Sequence, residues 1–144
     1  MNLNKIKKNL TDLLNKKMGL EFTYKKEDGL LLASCSIRLY GREKSVTCNL
    51  WIFEAGSVVI SFLCGEAPYT LRVLDSTARF NSEVTFLKAT IMSGVLNILH
   101  EAYVVDEKLV PVYVKGILGI LVSDEVKQNL EELLSACEET STQS

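Results

Sequence analysis

The chain is poor in the residues that metal and acid–base chemistry use most. It has one histidine, His100, and only two prolines. One histidine does not make a two- or three-histidine metal site, and no cysteine or carboxylate stands near it at ligand spacing. The four cysteines, Cys35, Cys48, Cys64 and Cys137, are widely scattered and form no C-x-x-C. In a reducing compartment they read as small buried hydrophobes. There is no G-x-G-x-x-G, no Walker loop and no H-E-x-x-H. Long hydrophobic runs are also missing. The longest apolar stretch, residues 109–122, is broken by Pro111 and Lys115 and is too short to span a bilayer. The start, M-N-L-N-K-I-K-K-N-L, has no continuous apolar core and no small-residue cleavage site. We therefore expect no signal peptide, no membrane partner and a cytoplasmic protein. An excess of one charge is absent too. The net charge of −2 gives no reason to expect nucleic acid.

What is present is an ordinary globular composition over 144 residues, 47% apolar and 24% charged. It predicts one domain over residues 1–139, burying about two-thirds of its unfolded surface, and a polar disordered tail over 140–144. Charge is uneven along the chain. Lys5, Lys7, Lys8, Lys16 and Lys17 face a single Asp12 near the start. Asp124, Glu125, Glu131, Glu132, Glu138 and Glu139 face a single Lys127 near the end. The two segments read as solvated helix faces; attraction within the chain or across a dimer is the alternative.

The clearest pattern lies at residues 46–64, V-T-C-N-L-W-I-F, E-A-G, S-V-V-I-S-F-L-C. Two strand-like runs flank a Gly-bearing turn. A three-residue loop, Glu54-Ala55-Gly56, pairs Ile52 with Val58, Leu50 with Ile60, Cys48 with Phe62 and Val46 with Cys64. Every pair is apolar, and a one-residue slip would bury Asn49 and Ser61 instead. Before it, residues 30–40 alternate: Leu31, Ala33, Cys35, Ile37 and Leu39 point one way, Ser34, Ser36, Arg38 and Tyr40 the other. A four-residue loop at 41–44 pairs Leu39 with Val46, Ile37 with Cys48 and Cys35 with Leu50. That register sets Cys35 and Cys48 on a diagonal, roughly 7–8 Å apart, too far for a disulfide.

Leu3, Ile6, Leu10, Leu13 and Leu14 recur at helical spacing, with Asn2 or Asn4 as cap and Gly19 as stop. Residues 20–24 are a short strand or an extended lead-in, and Glu27-Asp28-Gly29 is a turn. Pro68 starts a second helix with Leu71, Leu74 and Ala78 on one face and Asn81 as stop. A second hairpin turns at Ser93-Gly94 and pairs Met92 with Val95, Ile91 with Leu96, Ala89 with Ile98 and Leu87 with His100. From residue 106 on, one long or kinked helix is favoured, with Pro111 in its first turn. A new helix capped at Ser123 is the alternative. The order is helix, three-strand meander, helix, hairpin, long C-terminal helix. This is an α+β domain with helices packed on one mainly antiparallel sheet.

No residue set marks a reaction, so no catalytic, metal or cofactor site is assigned. His100 reads as a neutral core histidine holding one hydrogen bond. A pairing with a cysteine is disfavoured, because an apolar interior raises a thiol's pKa and hides it. Gly116 and Gly119 read as a close-packing spot. Glu131-Glu132 and Glu138-Glu139 read as a solvated face. Lys88 and Glu101 read as an exposed cross-strand pair. The outer face of the meander is less bland. It carries Arg38, Tyr40, Thr47, Asn49, Trp51, Phe53, Val59 and Leu63. Arg38, Tyr40, Trp51 and Phe53 are the candidate partner-binding residues, since aromatics beside an arginine are the composition of interface hot spots. Burial under the first or last helix is the competing reading for Trp51. Single-strand nucleic-acid binding would want more flanking lysine or arginine.

The segment V-L-D-S-T-A-R-F-N-S-E-V-T-F-L-K-A-T-I closes a helix on Phe80-Asn81 and runs into a strand, with a hairpin and C-terminal helix following. With the element order over residues 1–137, it resembles the YbjN family of bacterial proteins, described as putative sensory-transduction regulators with a fold like that of type III secretion chaperones. The resemblance implies a small cytosolic, non-enzymatic regulator or chaperone, dimeric, that binds a segment of another protein over its sheet. No functional residue carries over from it. The alternative class is a small-molecule sensor or minor enzyme with a sheet–helix pocket at His100. A purely structural dimer subunit, marked by an exposed apolar stripe on the last helix, is a third.

Overall fold

The computed structural model describes residues 1–40 and 44–142, with side chains to Glu139. Helix α1 (Leu3–Leu10) starts at Asn2, whose Oδ1 accepts from the Lys5 N–H at 3.2 Å. That bond satisfies one donor the helix itself leaves free. The helix widens into a π-helical stretch over Thr11–Lys17 and ends where Gly19 takes φ +71. Leu3, Ile6, Leu10 and Leu14 are buried, as the spacing predicts.

Strands β1 (Thr23–Glu27), β2 (Leu30–Arg38), β3 (Ser45–Phe53) and β4 (Ser57–Glu66) form an antiparallel meander. The lead-in at 20–24 is thus a strand set three residues later, and the meander has four strands rather than three. Helix α2 (Leu71–Glu83) follows, then β5 (Lys88–Met92) and β6 (Val95–Tyr103). Sheet order is β1-β2-β3-β4-β6-β5, with every neighbouring pair antiparallel. A 3-10 turn at Glu107–Leu109 leads into α3 (Val110–Leu121) and then α4 (Asp124–Thr142). The α+β class holds, with the helices packed on one face of the sheet.

The central hairpin has the expected register, with Ile52 opposite Val58, Leu50 opposite Ile60 and Cys48 opposite Phe62. Its turn needs Gly56, which takes φ +116. A Cβ there would lie 2.8 Å from the Tyr103 ring, so both the backbone and the space exclude a side chain. The Ser93-Gly94 turn also holds; both residues have positive φ, the geometry that matches strand twist in a two-residue loop.

Other expectations are corrected. The β2–β3 register is shifted by two: Ile37 faces Val46, Cys35 faces Cys48 and Ala33 faces Leu50. A two-residue shift leaves every side chain on its own face, so alternation alone does not resolve it. The expected four-residue loop falls mostly on residues 41–43, outside the described residues. Cys35 and Cys48 are therefore direct neighbours rather than diagonal, and both are free thiols. The buried face of α2 is Val73 and Phe80, while Leu71, Leu74 and Ala78 are exposed. The helix carries apolar residues on two faces, and packing on α4 and β5 selects one of them.

Asn81 is not the α2 stop, nor Pro68 its start. Thr70 caps the helix, and Asn81 lies two residues inside its end. The favoured long C-terminal helix is two helices. Ser123 Oγ donates to the Ile120 carbonyl at 2.6 Å, and the Ser123 carbonyl accepts from Lys127 N–H at 2.9 Å. These bonds serve one helix end and start the next. Gly116 and Gly119 are exposed, and a Cβ at either meets nothing within 4 Å, so they are not a packing spot. Finally, β5 begins at Lys88, which faces Leu99, so the expected Leu87–His100 pair lies just beyond the strand. Helix α4 continues to Thr142, into the segment expected to be a tail; Gln143 and Ser144 lie outside the described residues.

Candidate functional site

The sheet has two unlike faces. Toward the helices, Leu31, Ala33, Cys35, Val46, Cys48, Leu50, Ile52, Val58, Ile60, Phe62, Leu96 and Ile98 are all buried, in one contiguous core with the inner sides of the helices. The alternate residues face away from every helix. Along β3 these are Thr47, Asn49, Trp51 and Phe53, none of them buried. The helices do not cover Trp51, so the competing reading of burial beneath one is excluded.

The registers assemble this open face row by row. One row reads Lys25, Leu32, Trp51, Val59, Glu101 across β1, β2, β3, β4 and β6. The next, toward the β3–β4 turn, holds Glu27, Leu30 and Phe53, with Ser57 and Tyr103 continuing it. On the other side comes Thr23, Ser34, Asn49, Ser61, Leu99, then Lys88 on β5. Ser61 Oγ donates to Asn97 Oδ1 at 2.5 Å. The half nearest the turn is therefore aromatic and aliphatic, and the far half is rich in hydroxyls and amides. Phe53 is 38% exposed, Leu63 38% and Tyr103 69%. A shallow cleft of about 300 Å³ runs over β1, β2 and β3 here, lined by Thr23, Lys25, Leu32, Ser34, Asn49 and Trp51 among others.

Of the four candidate residues, the structure brings Trp51 and Phe53 together and sets Arg38 at the far end of β2, exposed, opposite Ser45. Tyr40 is elsewhere. Strand pairing ends at Arg38, and Tyr40 takes φ +53. That turn carries its ring into the helix layer, where the hydroxyl donates to the Leu121 carbonyl at 2.5 Å. It thereby satisfies a carbonyl at the end of α3. The Lys127 ammonium lies 5.6 Å from the ring centroid, and burial pushes the phenol pKa up to about 12. Simple alternation put Tyr40 on the open face because the end of β2 was not visible in it.

His100 lies on the helix side of β6, opposite Ile60, and its Nδ1 is hydrogen-bonded to the Tyr113 hydroxyl of α3. Burial lowers its pKa below the ordinary value, so the ring is neutral near pH 7. The pattern predicts a neutral core histidine holding one hydrogen bond; the ring has such a bond but is half-buried rather than in the core. Among the described residues, it does not line the clefts over β1–β3, beside α4, between α2 and α4, or at the N-terminus. The thiols are equally poor nucleophiles: burial pushes Cys48 and Cys64 up to about 12 and raises Cys35 and Cys137. Among the described residues, no group of three or more His, Cys, Asp or Glu is placed to hold a metal ion. A cleft of about 160 Å³ between the ends of β3 and β4 and helix α4, with Cys64 and Cys137 in its wall, is smaller than ordinary ligand pockets.

The sheet edges differ as well. At β5 the Asn81 side chain acts as a surrogate strand: Nδ2 donates to the Ala89 carbonyl at 2.9 Å and Oδ1 accepts from the Ala89 N–H at 2.7 Å. The Tyr69 hydroxyl donates to the Ile91 carbonyl at 3.4 Å. The β1 edge carries charge, through Lys25, Lys26 and Glu27. The acidic residues of α4 find partners on α2, with Arg72 paired to Glu139 and Arg79 lying 3.9 Å from Glu132. Among the described residues, no helix is long and apolar enough to cross a membrane.

No protein-family model matches the chain, and no curated protein matches it. The sequence reading did not single out Leu30, Leu32, Leu99 or Tyr103. Alternation within β2 and β6 holds the signal for all four. Placing Leu99 and Tyr103 beside Val59 also requires β6 to pair with β4, which no local pattern records.

Proposed function

We propose that this chain is a non-enzymatic protein-binding module of chaperone, adaptor or regulatory type, working in the cytosol, which takes up a segment of another protein on its open sheet face. The observation that supports it most is the uncovered half-face around Trp51 and Phe53. Leu30, Leu32, Val59 and Tyr103 complete a continuous apolar patch there. Antiparallel sheets ordinarily turn a polar face to water, and contiguous exposed apolar patches mark interaction sites. Arg38 stands at one end of the face as a polar anchor. Tyr40 is left out of the surface. The face bears few cations, chiefly Arg38, Lys25 and Lys88, which disfavours a nucleic-acid partner. With the β5 edge occupied by Asn81, strand addition there is disfavoured, so the face rather than that edge is the docking surface. The resemblance to the YbjN family, with its chaperone-like fold, accords with this reading.

Site-directed photo-crosslinking tests it. A photoreactive side chain at Phe53 is expected to capture a recurrent protein segment in cells, and one at Ser135, exposed on α4, is not. Trp51→Ala, checked for folding by circular dichroism, is expected to abolish the position-53 adduct. Adducts at position 135 with none at 53 would move the surface to the helix layer.

A further inference from the structure

We infer that, in the free protein, the occupant of the open sheet face is a second copy of this chain, packed face to face about a two-fold axis parallel to the strands. The inference rests on the preceding reading of that face as a protein-docking surface, and names its resting partner. Area is the first support. The four central strands have nine or ten residues and β1 and β5 have five each. At about 3.3 Å per residue and about 4.8 Å between strands, the face covers roughly 700–800 Å². A stable interface takes about 800 Å² from each partner, so one sheet on another suffices.

Charge complementarity is the second support. Lys25 and Glu101 sit at opposite ends of one row whose three middle residues are Leu32, Trp51 and Val59. A two-fold axis along the strands keeps rows level and exchanges their ends. Lys25 then reaches Glu101 of the second copy, and Glu27 reaches the phenol of Tyr103, each contact occurring twice. Trp51 lies on the axis and meets Trp51 of the second copy, with Leu32 of each copy meeting Val59 of the other. Strand β5 pairs only with Val95–Leu99 of β6 and does not stand between these groups. An axis across the strands would instead lay the apolar half on the hydroxyl half. Within one chain and among the described residues, Lys25 pairs with Glu27, 3.3 Å away with both side chains well exposed, a pair of little energetic weight. It is free to exchange partners. Two sheets stacked in this way tilt by about 30°, within reach of these long side chains.

Sedimentation equilibrium over a dilution series tests this, with emission of Trp51, the sole tryptophan, read in parallel. The expected result is twice the chain mass at high concentration and a red shift of emission as the dimer dilutes apart. Lys25→Glu and Glu101→Lys alter exposed side chains and are expected to leave folding intact by circular dichroism. Each is expected to weaken the dimer by roughly tenfold or more, and the two together to restore it. A monomer at every concentration overturns the inference, as does a dimer indifferent to both reversals, or one weakened by each and not rescued by the pair. A monomer that still yields the position-53 adduct overturns this inference alone. A charge-swappable dimer with no foreign adduct supports it and removes the foreign-segment reading.

Discussion

The two faces of the sheet share every strand and differ by one residue in register. On β3, Val46, Cys48, Leu50 and Ile52 are at most 5% exposed, and their neighbours Thr47, Asn49, Trp51 and Phe53 are not buried. Apolar burial contributes about 25 cal/mol per Å² on either side, but only the helix-covered side collects it within one chain. Stability is therefore concentrated on one face. The other carries apolar side chains that no helix covers.

The comparison breaks first at Phe62, which is fully buried. Phe62→Ala should cost roughly 3–5 kcal/mol by urea denaturation. Phe53→Ala, measured on dilute monomer, should cost less than about 1 kcal/mol. Equal losses would mean that the open face is part of the monomer's core. Asn81→Ala comes next. It strips both bonds from Ala89 and should cost roughly 1–3 kcal/mol, with faster hydrogen exchange at the Ala89 amide. Unchanged exchange there would show that Asn81 does not hold the edge.

Gly116→Ala with Gly119→Ala sharpens the contrast from the helix side. Neither new Cβ meets a neighbour, so each should stabilise α3 by about 0.5–1 kcal/mol. Destabilisation, or a change in dimerisation, would move the docking surface to α3, where Leu109, Val112 and Val122 are also exposed. The smallest effect is that of pH. Burial lowers the His100 pKa, so folding favours the neutral ring. Its contribution is complete above the unfolded value of about 6.5 and is lost as pH falls through the lowered folded value. His100→Gln should flatten that acid limb of the stability profile, and an unaltered limb would assign it to other groups.

The parts legible in the sequence are those set by nearest neighbours. The β3–β4 and β5–β6 turns fix their own registers, and the α1 stripe has a cap at each end. The β2–β3 register was not legible, because a shift of two preserves the pleat. The buried face of α2 was not legible either, since Leu71 and Leu74 compete with Val73 and Phe80 and only tertiary packing chooses between them. Of the candidate site, Trp51, Phe53 and Arg38 followed from alternation. Tyr40 did not, because one positive φ after the last strand pair reverses where it points. Leu99, Glu101 and Tyr103 depend on β6 inserting between β4 and β5, a choice made only when the whole sheet closes.

The amide of Asn81 also bears on what happens when the protein is crowded. Fibres built by strand addition need two open edges on each molecule. Here the edge at β5 is already filled from within. Only β1 remains, and two β1 edges brought together oppose lysine-rich strands and leave nothing further to extend. A chain that carries a large apolar face thus limits its own edge-to-edge aggregation with one side chain, and Asn81→Ala should convert a merely destabilised protein into a fibre-forming one.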